Sequence, residues 1–297
     1  MGRPPMSPRL ALIGFGEVGQ TLHADLMAAG FADIVVHDRQ LADPTSEPSK
    51  AAVGARTAGD IASACADCDL VISAVTAGEA INVAHAAAPH LGEAFFLDLN
   101  SVAPQTRQTQ AALIDRYVEA AVMAPIAPQR IRTPILLGGP HAATILPLLE
   151  RLGFSAEVFG DAVGGPSAVK LSRSVFVKGL EAIVTESLAS ARHYGVEAQV
   201  LASLSNTIPH PDWPVLARYL LTRPLVHGQR RSEEMAEAAV MLEAAGLPSP
   251  MARATVEVHA RQGSLGLAAP ADQAPELGDL LDAIERRTKS LASQREI

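Results

Sequence analysis

The chain is short of aromatic side chains, cysteine, basic charge and long apolar runs. Phe, Trp and Tyr make up 4% of its 297 residues, whereas the AVILMFWYC set makes up 48% and is rich in alanine. That balance suits a globular protein with much close-packed helix. No apolar run reaches the roughly 18 residues a membrane span requires. The opening Met1–Pro8 lacks the apolar core of a signal peptide. A cytoplasmic chain is therefore expected, with the residues ahead of Arg9 disordered and Met6 an alternative start. Lys and Arg number 24 against 32 Asp and Glu, a formal charge of −8. This excludes a broad nucleic-acid footprint, though a few local cations can still hold an anionic substrate. The two cysteines, Cys65 and Cys68, form a C-x-x-C at the end of a small-residue helix. No third cysteine exists to complete a zinc site. They are expected to be incidental thiols, and no metal site is expected.

The most informative stretch is Leu10-Ala11-Leu12-Ile13-Gly14-Phe15-Gly16-Glu17-Val18-Gly19. An apolar run reads as a buried strand, and a helical pattern follows the glycines at once. Gly14 allows the tight turn, Gly16 lets backbone approach a pyrophosphate, and Gly19 lets the helix pack on the strand. The helix N-terminus then faces the anion. A second apolar run, Ile34-Val35-Val36, stops at His37-Asp38-Arg39. Asp38 is spaced to accept hydrogen bonds from an adenosine ribose. Strand, glycines, helix and acid together predict dinucleotide binding by Gly14, Phe15, Gly16, Glu17, Val18, Gly19, Asp38 and Arg39.

The first half alternates strands with helices. Strands are expected at Leu10–Gly14, Ile34–His37, Leu70–Val75, Phe95–Leu99, Val118–Ala121 and Ile135–Gly138, with a further short one at Ala156–Phe159. Asp43–Lys50 and Leu267–Pro275 read as loops. This is the pattern of an α/β, doubly wound (Rossmann) parallel sheet. Near Gly160 the pattern turns helical, which divides the chain into a dinucleotide-binding domain, 1–160, and a smaller all-helical substrate and dimerisation domain, 161–297. The first helix of the second domain is predicted from Pro166 to about His193, apolar on more than one face and suited to burial between helices. Separate helices are expected at Pro214–Leu221 and Ser232–Ala245.

Ligands of such sheets bind beyond the carboxyl ends of the strands. Val75 and Thr76 end one strand and are placed to line the cofactor cleft. Asn100 and Ser101 end another, as substrate- or cofactor-orienting groups or as helix caps. Lys170 lies one turn into the long helix, just after Gly164-Gly165, and is the candidate acid/base. Ser174 and Lys178 follow on the same face, either as substrate donors or as a solvated stripe. His227 and Arg230 belong to His227-Gly228-Gln229-Arg230-Arg231. That cluster is either an anion clamp or the lead-in to a helix capped by Ser232. Gln129-Arg130-Ile131-Arg132 reads as a solvated loop. His210-Pro211-Asp212-Trp213 reads as a loop entering a helix, with Trp213 in the core.

Taken together, these landmarks resemble the β-hydroxyacid dehydrogenases, the group of 3-hydroxyisobutyrate and 6-phosphogluconate dehydrogenases. Leu12–Gly19 is similar to the family's nucleotide motif and Asp98-Leu99-Asn100-Ser101 to its substrate motif. Gly164-Gly165-Pro166-Ser167-Ala168-Val169-Lys170 is similar to the segment carrying its catalytic lysine. Gly-Phe-Gly-Glu, Asn100–Pro104 and His227–Met235 resemble a branch described only by a phosphogluconate-dehydrogenase-like C-terminal domain. The chain departs from the pattern at Pro166, at Ser174 in place of an asparagine, at Met123–Pro128 in place of Ser-Gly-Gly, and at Glu233-Glu234 in place of Lys-Asp.

The resemblance implies hydride transfer between a nicotinamide and a secondary alcohol of hydroxy-acid type. Lys170 would be general acid/base in a homodimer acting on a small molecule. Asp38 favours NAD, and Arg39 leaves NADP open. Two rivals keep the fold: an imine reductase, against which Lys170 weighs, and an NAD(P)-binding sensor without turnover.

Overall fold

The computed structural model describes residues 7–208, 212–267 and 276–293. His210 and Pro211, and most of the expected loop at Leu267–Pro275, fall outside them, as do the residues ahead of Ser7. The chain forms two compact units, one ending at Leu171 and the other starting at Ser172.

The first unit contains strands β1 (Leu10–Ile13), β2 (Ile34–His37), β3 (Arg56–Thr57), β4 (Leu70–Ser73), β5 (Phe95–Asp98), β6 (Tyr117–Val122), β7 (Ile135–Gly138) and β8 (Ala156–Gly160). Its helices are α1 (Glu17–Ala28), α2 (Glu47–Ala51), α3 (Ile61–Cys65), α4 (Ala80–Ala87), α5 (Pro104–Leu113), α6 (Ile126–Gln129) and α7 (Ala142–Leu152). The strands form one sheet in the order β3-β2-β1-β4-β5-β6-β7-β8. Chain order reverses direction across the sheet between β1 and β4, the switch point at which open α/β sheets bind ligands.

Successive strand residues face opposite sides, and here each side is a core. Leu10, Leu12, Ile34, Val36, Leu70, Ile72 and Leu97 pack with Leu22 and Leu26 of α1 and Ile145 and Leu149 of α7. Ala11, Ile13, Val35, Val71 and Phe96 pack on the other side with Cys65 of α3 and Val83, Ala84 and Ala87 of α4. Burial on both faces explains why the strands read as continuous apolar runs.

All pairs are parallel except β6 with β7. The Met123–Pro134 connection contains α6 and a 3-10 turn at Arg130–Arg132 rather than a full crossover helix. Without that crossover β7 returns antiparallel. The α7 crossover then makes β8 parallel to β7. Two segments expected as loops carry helix. Ser46 caps α2, its side chain accepting from the Ser49 amide. Arg130–Arg132 is tied to α1 through the Arg130–Asp25 ion pair, 2.7 Å.

Helix α8 (Gly165–His193) runs from the first unit into the second, which continues with α9 (Glu197–Thr207), α10 (Trp213–Ala244), α11 (Pro250–Ser264) and α12 (Leu277–Ser293). Leu188, Leu201, Trp213, Leu221, Leu281 and Ile284 form its core, with the Trp213 indole donating to the Ile208 carbonyl at 2.9 Å. The two helices expected at Pro214–Leu221 and Ser232–Ala245 are one element, α10, kinked at His227 (φ −124°, ψ 22°) with Pro224 inside it. A proline lacks the amide that continues the ladder, so a bend replaces the expected break, and Ser232 is a buried mid-helix residue rather than a cap. Along α8, Leu171, Val184 and Leu188 are buried while Phe176 is 76% and Ile183 54% exposed.

Among the described residues no helix is long and apolar enough to cross a membrane. Nor does any group of His, Cys, Asp and Glu among them suit a metal ion. Burial pushes the Cys65 thiol up to about 12 and that of Cys68 to about 11. At neutral pH both are protonated and weakly reactive.

Candidate active site

The glycine turn follows directly from β1. Gly14 has φ +96°, and a Cβ there would stand 2.3 Å from the Ala74 carbonyl oxygen. A Cβ on Gly19 would stand 2.1 Å from the Gly14 carbonyl oxygen, so α1 presses on the turn. Beside Gly16, which is exposed, a Cβ would meet nothing within 4 Å. Two of the glycines are thus required by the protein's own packing and the third borders open space. The first α1 bond runs from the Gln20 amide to the Gly16 carbonyl, 2.9 Å. The amides ahead of Gln20 fall outside that ladder, at the helix's positive end. Phe15 buries its ring in the core, while Glu17 and Val18 open α1.

Asp38 closes the turn from the side. Its Oδ2 accepts the Phe15 amide at 2.8 Å and its Oδ1 the Gln40 amide at 2.9 Å. Arg39 reaches Glu79 at 2.6 Å, across the end of β1.

A chain of contacts leads from the turn to Lys170. Gly14 abuts Ala74 and Val75. The Val75 amide donates to Asn100 Oδ1 at 2.7 Å, and Asn100 Nδ2 donates to Ser73 Oγ at 2.9 Å. Asn100 therefore latches the end of β5 to the end of β4, and its side chain is buried in doing so. The next residue, Ser101, accepts from Lys170 Nζ at 2.6 Å. Thr76 is exposed at the start of the turn after β4. The structure thus brings Gly14, Val75, Asn100, Ser101 and Lys170 to one end of the sheet.

What holds Lys170 there was not foreseen from sequence. Glu119, inside β6, accepts the amides of Gly164 (2.5 Å) and Ser167 (2.7 Å) at the start of α8. A carboxylate at a helix N-terminus satisfies orphan amides and complements the dipole. Arg107 of α5, 1% exposed, pairs with Asp98 at 2.9 Å and lies 3.9 Å from Glu119. It also donates to Tyr117 Oη at 3.2 Å, to Ser167 Oγ at 3.1 Å and to the Asn100 carbonyl. Burial alone would lower its pKa, but the carboxylates of Asp98 and Glu119 hold it above the usual value. Burial raises Tyr117, which remains a neutral donor. The available signal was an acid in each of two apolar strands, Phe-Phe-Leu-Asp98 and Tyr-Val-Glu119-Ala-Ala-Val.

The other expected residues lie in the second unit. Lys178 is ion-paired with Glu234 and lies 3.4 Å from Ser174 Oγ. Arg230 approaches Glu234 at 4.0 Å. His227 sits at the α10 kink. Beside them Arg231 Nε donates to Glu181 at 2.9 Å, and His259 Nε2 is 3.6 Å from Glu181. Burial lowers Lys178 and raises Glu181. It also lowers His259 to about 4, with Arg231 and Lys178 adding to the effect.

The switch-point turn, its three glycines and the acid after β2 define a dinucleotide-binding protein of the Rossmann class. Residues 9–152 match the NAD binding domain of 6-phosphogluconate dehydrogenase, and residues 191–262 match a domain of unknown function, DUF1932. The chain belongs to the 6-phosphogluconate dehydrogenase-like family, in the branch that joins these two domains. A conserved hypothetical protein of Sinorhizobium meliloti 1021 is 37% identical, with 95% of this chain and 97% of that one covered and a TM-score of 0.70. MTH1747, a conserved protein of unknown function described as structurally similar to 3-hydroxyacid dehydrogenases, is 31% identical over 86% of this chain and 97% of its own (TM-score 0.65). The 3-hydroxyisobutyrate dehydrogenase of Mycobacterium tuberculosis shares the fold at 17% identity, 94% and 99% coverage and a TM-score of 0.67.

Proposed function

We propose that the protein is an NAD(P)-dependent oxidoreductase that interconverts a secondary alcohol of hydroxy-acid type and its carbonyl form, with Lys170 as general acid/base. The observation that carries this reading is the 2.6 Å bond from Lys170 Nζ to Ser101 Oγ beyond the carboxyl end of β5. It joins a proton-carrying group to a hydroxyl at the end of the sheet where such folds bind dinucleotides.

The residues suit the dinucleotide. The open side of Gly16 admits a pyrophosphate, the α1 N-terminus complements its charge, and Asp38 accepts from a ribose hydroxyl. Gly14, Phe15, Gly16, Glu17, Val18, Gly19, Asp38, Arg39, Val75 and Thr76 line that surface, with NAD as the preferred form. When bound, the nicotinamide supplies the hydride acceptor or donor. Lys170 takes the hydroxyl proton during oxidation and returns it during reduction, and Ser101 orients the amine and the substrate oxygen. Asn100 acts through its latch, setting Ser101 in place.

Residues 161–297 are the substrate and dimerisation domain in this reading. Ser174, Lys178, His227 and Arg230 supply donors and charge for the substrate. The exposed Phe176 and Ile183 give α8 an apolar face that a second subunit would cover.

The test is Lys170→Ala assayed against hydroxy acids, sugar acids and imines with both cofactors, read at the absorbance of reduced nicotinamide. Dinucleotide affinity is measured in parallel by calorimetry. Alcohol oxidation should fall by at least about 10²-fold with cofactor binding retained. Unchanged turnover would refute the role of Lys170. Binding without turnover across the panel, in the wild type, would favour a sensor.

A further inference from the structure

Asp38 and Arg39 follow β2, Glu79 follows β4, and β1 lies between those two strands. The Arg39–Glu79 ion pair therefore crosses the carboxyl end of the strand that carries the glycine turn. Two facts decide what this does to a ligand at the β2 end. The Asp38 carboxylate is fixed by the Phe15 and Gln40 amides, so its position beside the turn is set before any ligand arrives. The neighbouring cation, Arg39, already has its charge matched by Glu79 at 2.6 Å, on a side chain that is otherwise largely exposed.

In folds of this class, the acid after the second strand binds an unmodified ribose, whereas a free arginine nearby accommodates a 2′-phosphate. Here the arginine is held by an acid from a different strand end. We infer that Glu79 is a cofactor-specificity residue: by holding Arg39, it denies a ribose 2′-phosphate the free guanidinium it needs and so disfavours ligands that bear one. The inference rests on the dinucleotide reading of the first unit and adds to it a residue outside the glycine motif. The 2′-phosphate is the only feature it discriminates, so the adenosine half of the cofactor should show the effect without any chemistry.

The experiment is isothermal titration of the full chain with NADH, NADPH, AMP and adenosine 2′,5′-bisphosphate. The wild type is compared with Glu79→Gln and with Glu79→Gln/Arg39→Gln, and circular dichroism confirms that each is folded. Glu79 is partly exposed and the substitution keeps its shape, so Glu79→Gln should fold normally. In Glu79→Gln the ratio of NADPH to NADH affinity should rise about tenfold, and the ratio of the bisphosphate to AMP should rise with it. The gain should shrink as ionic strength is raised and should vanish in the double variant, which lacks the released guanidinium. Unchanged ratios in Glu79→Gln alongside normal NADH binding would overturn the role of Glu79 alone. A gain that persists without Arg39 would also overturn it. Failure of the wild type to bind any dinucleotide would overturn the underlying reading and this inference together.

Discussion

Replacing Arg107 by methionine should destabilise the first unit strongly and disarm the lysine without touching it. Arg107 is 1% exposed, and its ion-pair partners Asp98 and Glu119 are fully buried. Methionine fills similar space but leaves two carboxylates in the core with no cation. Breaking a buried pair in this way costs about 3–5 kcal/mol. For a domain of this size that corresponds to a drop of roughly 6–20 °C in the melting temperature.

Thermal unfolding followed by circular dichroism at pH 8 measures the loss. Arg107→Lys separates charge from geometry. It keeps the cation but cannot reach Asp98, Tyr117, Ser167 and the Asn100 carbonyl together, and it should fall between wild type and Arg107→Met. Because Arg107 and Glu119 tie both Asn100 and the start of α8, cofactor-dependent turnover at temperatures below the transition should fall in both variants. An Arg107→Met protein within about 1 kcal/mol of wild type at pH 8 would show that the carboxylates find other partners, and the account of how Lys170 is held would fail.

Two further outcomes test separate parts of the structure. Gly16→Ala should leave the melting temperature within about 2 °C of wild type, since its Cβ meets nothing, yet weaken dinucleotide binding, whereas Gly19→Ala should damage the fold itself because its Cβ would meet a carbonyl at 2.1 Å; calorimetry with NADH and thermal melts of both variants distinguish the two roles. His259, lowered from its ordinary 6.5 to about 4, should make the second unit lose up to roughly 3 kcal/mol as pH falls from 6.5 towards 4, because the unfolded state takes up the proton first; His259→Met should flatten that segment of the pH–stability curve, and an unchanged curve would refute the assignment.

Much of this architecture was legible because its signals are local. Buried parallel strands write themselves as apolar runs, and β1, β2, β4 and β5 begin where their runs begin. The glycine turn was legible because its three glycines fall in one short stretch between the end of β1 and the first turn of α1. The edge strand β3 was not, since two exposed residues, Arg56 and Thr57, carry no apolar signal. The kink in α10 hid a single helix behind Pro224 and His227. The polar core was harder still. Nothing local in the sequence reveals that Arg107 reaches Asp98 of β5 and lies beside Glu119 of β6.

That non-local cluster determines what the legible residues can do. Asn100 was read as a substrate- or cofactor-orienting group or a helix cap, and its side-chain amide joins Val75 and Ser73 at the end of β4. Its hydroxyl neighbour is the one that meets Lys170. Lys170 was chosen for its position one turn into a helix after two glycines. The first turn of that helix is held by a strand carboxylate, which is in turn balanced by a buried guanidinium that also binds the Asn100 carbonyl. Arg107 thus reaches both sides of the Ser101–Lys170 pair, one through β5 and the other through α8. The Ser101–Lys170 pair is therefore held from the core of the sheet domain. Substitutions at Asp98, Glu119 or Tyr117 should then disturb the Ser101–Lys170 pair more than substitutions at the exposed Thr76, which is nearer in sequence to the glycine-turn contact but carries none of that support.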